Sequence, residues 1–424
     1  MIEEAIIHVG MHKTGSSSIQ STFHNLEISD DAPVGYLKLN SPNHSGFLMT
    51  LLSEKPEEYH ANKLNGRSKE ESRAIQQRFE SEFEERLSLF CARKLVISGE
   101  DLSAPNVSES MLQRLKARLL RYCRSVRVIG YVRSPVGYMQ SAFQQRLKGG
   151  VTFQLNVHQL WPHYRKRFES LDRVFGKKNV DLVPFFPSSL YKGDAVLDFS
   201  RRIGVAIGRD EVRRENESIS LEACSVLFAM RKFLGVTPYS GYSADNDRIV
   251  RAVSRIGKEK LAFSPELVAP VMEAQRADLE WMNGRLGQSI EDIPRDVKTS
   301  IGSEAALLDV ALAQGPELWK LIEETSDRNM ALSTSESIDR LRQLTALAPL
   351  SHQAPYVTTP IFGDGAHGAG EPDHLLEQAA LLFAHTEPEI ARAFRQVIVP
   401  ARRQVSREVE INTPPMPGNS KENH

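Results

Sequence analysis

The sequence predicts an α/β protein: a central parallel sheet of about five strands flanked by helices, with a helical extension towards the C-terminus. Three observations carry the prediction. Short, β-branched apolar runs recur at 5–9 (AIIHV), 34–39 (VGYLKL), 94–98 (KLVIS), 126–132 (VRVIGYV) and 180–185 (VDLVPF). The runs are apolar on both alternating faces, the pattern of a parallel strand covered by helices on both sides. Helix-like stretches lie between most of them, and alternation of strand with helix argues for an open α/β sheet.

In chain order, the first run passes into HVGMHKTGSSSIQ (8–20), which ends as a helix start. The third run, KLVIS, leads into SGEDLS, and the fourth leads through Arg133 to Ser134, a good N-cap, and Pro135, a good first helical residue. From about residue 196 the pattern changes. Stretches 221–234 and 264–286 carry apolar residues at three- and four-residue spacing and read as amphipathic helices. Residues 349–372, rich in Gly and Pro without a period, read as a linker, and 412–424 as a disordered tail. The expected organisation is an α/β domain over 1–300, with a nucleotide core at 1–200 and a helical acceptor-side part at 201–300. A helical extension at 301–348 and a C-terminal helical segment at 373–411 follow.

The chain has 424 residues, 41% of them hydrophobic, enough for one large or two ordinary cores. Its 53 basic and 54 acidic residues nearly cancel, which excludes a nucleic-acid coat or a polybasic membrane surface. Any anion site must be local. The start MIEEAIIHVG is acidic and its apolar run is too short for a signal peptide or a membrane span, and Cys91, Cys123 and Cys224 lack metal-like spacing. A cytoplasmic protein with reduced thiols is expected.

The loop after the first strand carries the main functional signal. Gly10 and Gly15 have the separation of the triphosphate loop G-x-x-x-x-G-K-[ST], yet Ser16 stands where the lysine belongs and Lys13 precedes the second glycine. The glycines permit tight turns, the helix start presents N–H groups and a positive dipole end, Ser16, Ser17 and Ser18 add hydroxyls, and Lys13 adds a charge. These residues make an anion cradle for something other than a triphosphate held with magnesium.

The segment Lys13-Thr14-Gly15-Ser16-Ser17 resembles the 5′-phosphosulfate loop, K-[ST]-G-[ST]-[ST], of sulfotransferases that use 3′-phosphoadenylyl sulfate (PAPS). Arg133 followed eight residues later by Ser141 resembles the same family's 3′-phosphate site, a strand-end Arg with a Ser on the next helix. The resemblance covers 5 to about 200 and implies a P-loop-like fold of bacterial type. The late Arg-Lys-Gly lid segment of cytosolic members has no counterpart, since the glycines at 363–370 lack basic partners.

The resemblance implies in-line sulfuryl transfer from PAPS to a hydroxyl or amine of a carbohydrate, lipid or small molecule, without an obligatory metal. Lys13 would stabilise the leaving 5′-phosphate. His12 adjoins the loop, facing either the acceptor or solvent. Family members use a Glu or His as general base; Glu100, beside Asp101 at the end of the third strand, ranks first here, His44 next and His60 last. Asn216 and Ser218, before a later helix, are candidates to face the cleft or to cap. Two other classes stay open: a P-loop kinase or nucleotidase with LVISGED as its acidic strand, and a non-catalytic nucleotide-binding scaffold.

Overall fold

The computed structural model describes residues 1–26, 33–150, 154–214, 218–233, 244–292 and 299–318. The linker at 349–372, the segments on either side of it beyond 318, the tail and Asn216 lie outside the described residues.

Five strands form one parallel sheet: β1 (Ile2–His8), β2 (Val34–Tyr36), β3 (Lys94–Ser98), β4 (Cys123–Val132) and β5 (Val180–Pro184), in the order β2-β3-β1-β4-β5. Each sequence-expected strand is present; β2 is shorter than its apolar run and β4 begins earlier. His8, the last residue of β1, is in register with Ser98 of β3 and with Ile129 of β4. The chain moves outward from β1 to β2 on one side and later crosses to β4 on the other. The carboxyl end of central β1 is therefore flanked by the ends of β3 and β4, the place where open α/β sheets bind ligands.

Helices cover both faces. In chain order they are α1 (Ser16–Asn25), α2 (Ser45–Leu52), α3 (His60–Leu64), α4 (Lys69–Ser88), α5 (Glu109–Leu120), α6 (Pro135–Lys148), α7 (Tyr164–Phe175) and α8 (Ala195–Ile203). Then come α9 (Leu221–Phe233), α10 (Ala244–Val253), α11 (Pro265–Ala274), α12 (Arg276–Leu286) and α13 (Glu304–Leu312). Local chemistry fixes several starts. Ser68 and Glu71 form a reciprocal capping box on α4, and Asp194 accepts from Val196 and Leu197 N–H at the start of α8. On one face Ile6, Val96, Ile129 and Tyr131 pack with Ile19 and Phe23 of α1 and Phe199 and Ile203 of α8. The single helix expected over 264–286 is two, interrupted at Gln275. Asp278, three residues beyond the break, is engaged with α7: it accepts from Tyr164 N–H, Arg165 N–H and Trp161 Nε1, each at 2.7–2.8 Å.

The chain divides into two compact units that interleave in sequence. Of the described residues, the first gathers those within 1–142, 156–218 and 268–296 and holds the whole sheet; the second gathers those within 143–155, 219–267 and 299–318. In the second, buried Arg231 donates to the carbonyl of Leu147 at 3.1 Å and pairs with Asn246, and Phe143 packs near Phe228 and Phe263. Burial lowers the Arg231 pKa to about 10. Among the described residues no helix is long and apolar enough to cross a membrane. The three cysteines are unpaired.

Candidate functional site

The connection from β1 to α1 is built on left-handed backbone. Gly10, Lys13 and Gly15 have φ of 66°, 69° and 80°. Glycine takes this region freely, whereas a lysine there carries about 1–2 kcal/mol of strain. Crowding explains the glycine at 10: a β-carbon would lie 2.9 Å from Glu100 Cβ and 3.0 Å from Ser16 Oγ. Gly15 occupies the N-cap of α1 and offers no side-chain acceptor to the N–H groups behind it.

The hydroxyls of the loop divide their work. Thr14 is buried and its Oγ1 donates to Met11 O at 2.6 Å, bracing the loop from within. Ser16 is also buried, and its Oγ has no hydrogen-bond partner among the described residues. A buried hydroxyl left unpaired costs about 1–3 kcal/mol, so a ligand oxygen at this point would relieve it. Ser17 and Ser18 are half-buried in the first turn of α1.

The second anchor meets the first. Arg133 leaves the end of β4, and its Nη1 donates to the carbonyl of Lys13 at 2.8 Å. The Arg133 carbonyl in turn accepts from the Tyr164 hydroxyl at 2.7 Å. A β-carbon at Gly137 would come within 3.2 Å of Arg133 Nε. Gly137 and Ser141 are one turn apart on α6, so the arginine lies along the helix face that carries Ser141, which is half-buried.

The start of α6 corrects the sequence expectation. Ser134 does not cap the helix; the carboxylate of Asp292, from far along the chain, accepts from Val136 N–H at 2.8 Å and Gly137 N–H at 3.2 Å. Ser134 Oγ donates to the same carboxylate at 2.5 Å. A charged acceptor answers the helix dipole better than a hydroxyl, and the serine becomes its donor.

The third wall of the site comes from the 3-10 turn Glu100–Ser103 at the end of β3. Glu100 is half-buried against Gly10 and Ser16. Asp101 holds His12: Asp101 Oδ1 lies 2.8 Å from His12 Nε2, Oδ2 accepts from the Tyr59 hydroxyl at 2.7 Å, and its N–H donates to Ser45 Oγ at 3.1 Å. Burial pushes the Asp101 pKa up, but the hydrogen bonds from His12 and Tyr59, with the charge of His12, bring it below the ordinary value. Tyr59 and Ser45 carried no signal in the sequence, because each sits in a polar stretch with no spacing to link it to residue 101.

Of the two remaining histidine candidates, His44 stands apart from this cluster and His60 borders it through Tyr59. His44 lies in the interior rather than on a solvated loop: its ring packs 4.8 Å from that of Tyr36 and its Nδ1 accepts from Ser98 N–H at 3.2 Å. Burial lowers its pKa to about 3. His8 is buried likewise, with Nδ1 2.8 Å from Ser98 Oγ and a pKa lowered by burial to about 3. His60 is exposed at the start of α3, its ring 4.4 Å from that of Tyr59. Ser218 is exposed ahead of α9.

Thus Lys13, Thr14, Gly15, Ser16, Glu100 and Arg133 gather around one loop, His12 borders it, and His44 is buried at the start of α2. The arrangement sets the N–H groups and hydroxyls of a helix start beside a guanidinium, donors of the kind an anion takes. Comparison with protein-family models, with curated proteins and with solved structures gives no match to this chain in any of the three.

Proposed function

We propose that the chain binds PAPS between the β1–α1 loop and the β4–α6 junction and transfers its sulfuryl group to a hydroxyl or amine. The hydrogen bond from Arg133 to the Lys13 carbonyl supports this most directly, because it brings two motifs 120 residues apart in sequence into contact. On this reading Lys13 neutralises the bridging oxygen as the 5′-phosphate leaves. Ser16 Oγ and the loop N–H groups hold phosphate and sulfate oxygens, and Arg133 with Ser141 holds the 3′-phosphate. The acceptor, a carbohydrate, lipid or small molecule, approaches from the side bounded by Glu100 and His12. We place the reaction in the cytoplasm, where unpaired cysteines persist.

A thermal-shift titration tests the nucleotide site. Adenosine 3′,5′-bisphosphate (PAP) at about 100 times its Kd adds about 2.7 kcal/mol of stability and raises Tm by several degrees. Arg133→Ala and Lys13→Ala each diminish that rise. Stabilisation by ATP with Mg²⁺ but not by PAP would overturn the proposal in favour of a kinase or nucleotidase.

A further inference from the structure

Resting on the sulfuryl-transfer reading, we propose that His12, oriented by Asp101, is the base that takes the acceptor's proton, with Asp101 and Tyr59 as positioning residues. The geometry assigns the tautomer. Asp101 Oδ1 is 2.8 Å from His12 Nε2, and an ionised carboxylate can only accept, so Nε2 carries the hydrogen and Nδ1 carries the lone pair. Among the described residues nothing hydrogen-bonds to Nδ1, and the His12 side chain keeps 34% of its surface exposed. This is the logic of a carboxylate–histidine pair: the acid fixes the ring and then stabilises the imidazolium that forms.

The surroundings favour an ionised Asp101. Its carboxylate is only 14% exposed and accepts a second hydrogen bond, from Tyr59, on the oxygen turned away from His12. His60 on α3 and Arg167 on α7 lie within electrostatic range of it. Arg167 is buried and spends its donors on the carbonyls of Pro162 and Ser103 and on the Tyr138 hydroxyl, leaving its charge uncompensated by any bonded acid. Of the charged groups, His12 meets Asp101 directly at 2.8 Å and is followed in sequence by Lys13.

The rival bases are less well placed. His44 and His8 are buried with Nδ1 already engaged at Ser98. Glu100 adjoins the cradle floor, where a carboxylate would face the incoming phosphosulfate oxygens at close range. His12 stands one residue before Lys13, on the rim rather than the floor. In the reaction, the acceptor oxygen forms a bond to sulfur as the bond from sulfur to the bridging oxygen breaks. The acceptor's proton passes to His12 Nδ1, and PAP departs with the bonding pair on its 5′-phosphate.

The test measures conversion of PAPS to PAP with water as the acceptor, and with glucose or p-nitrophenol added, alongside PAP affinity by calorimetry. His12→Gln keeps a donor for Asp101 but has no basic nitrogen, so turnover falls about 100-fold or more while the PAP Kd stays within about twofold. Imidazole added to His12→Ala restores part of the rate. Asp101→Asn lowers kcat with little change in PAP affinity, and Tyr59→Phe has a smaller effect in the same direction. A larger loss in Glu100→Gln than in His12→Gln overturns the assignment, as does a fall in PAP affinity that accounts for the whole loss in His12→Gln. PAP binding without PAPS conversion by the unmodified chain overturns the base assignment and leaves the nucleotide site standing. Absence of PAP binding removes both.

Discussion

At the residue scale, Lys13 shows why a loop motif is more than a set of side chains. Its φ of 69° places a β-carbon where the backbone resists one, and its carbonyl is thereby turned to accept from Arg133. Strain of this kind persists where function requires the residue. Replacing it with glycine should therefore relieve that strain, and on the proposed reading abolish turnover of PAPS: Lys13→Gly unfolds at higher urea than Lys13→Ala, by about 1 kcal/mol, since both lack the side chain and only glycine accepts the conformation. Equal midpoints would mean that the loop relaxes when the lysine is cut back. Two other residues set the response to acid. His8 and His44 are held neutral by burial, with folded pKa values of about 3 against 6.5 in a free chain. The unfolded state then binds more protons between these values, so the stability they contribute is complete above pH 6.5 and is lost as pH falls towards 3. At pH 5 each costs about 2 kcal/mol, and His8→Asn should flatten the fall in Tm between pH 7 and pH 5. The turn between β1 and α1 was legible in sequence because glycines at 10 and 15 mark the left-handed backbone that a strand-to-helix turn needs. The inward turn of His44 was not, because polar neighbours in sequence say nothing of the tyrosine that a ring will meet in space.

At the scale of elements, the strands were the most legible part of the molecule. A parallel strand buried on both faces must be written as a short continuous apolar run, and each of the five strands falls on one. Helix starts were legible where the cap is local, as with Ser68 and Glu71 on α4. They were not legible on α6 and α7, which are both capped by carboxylates from beyond residue 270. His163, the residue before α7, has a φ of 53° and makes no side-chain cap. On the proposed reading the α6 start matters because Arg133 and Ser141 bracket it. Asp292→Ala should cost about 1–2 kcal/mol by urea denaturation, whereas Ser134→Ala costs less, since the helix N–H groups keep their acceptor in the second variant. The reverse order would return the cap to the serine. PAP affinity in Asp292→Ala also reports whether the Arg133 face needs a fixed helix start.

At the scale of the whole molecule, both anion motifs lie within the first 218 residues, yet the unit that holds them also recruits 268–296. Three attachments from that later stretch reach back. Asp278 accepts from the start of α7 and from Trp161, Asp292 caps α6, and Arg285 forms a two-pronged pair with Asp172, at 2.6 and 2.8 Å, while donating to Val180 O at the start of β5. The Arg285 and Asp172 side chains are 12% and 15% exposed, so their charges are only lightly screened. Each attachment is worth about 1–3 kcal/mol, and Leu279 and Met282 add buried apolar surface. The sum approaches the 5–15 kcal/mol that holds a typical domain together. A fragment of residues 1–218 therefore contains the whole sheet and every cradle residue and should still fail as a binding unit. Its expected signature is a broad thermal transition, dye-accessible apolar surface and no heat of PAP binding, where the full chain gives a sharp transition and a measurable heat. Within the full chain, Asp278→Ala separates this cause from truncation: it removes three acceptor contacts at once and should lower stability by about 2 kcal/mol while PAP still binds. A cooperative, PAP-binding 1–218 fragment would show instead that the sheet and its first eight helices suffice, and that the later stretch merely covers them.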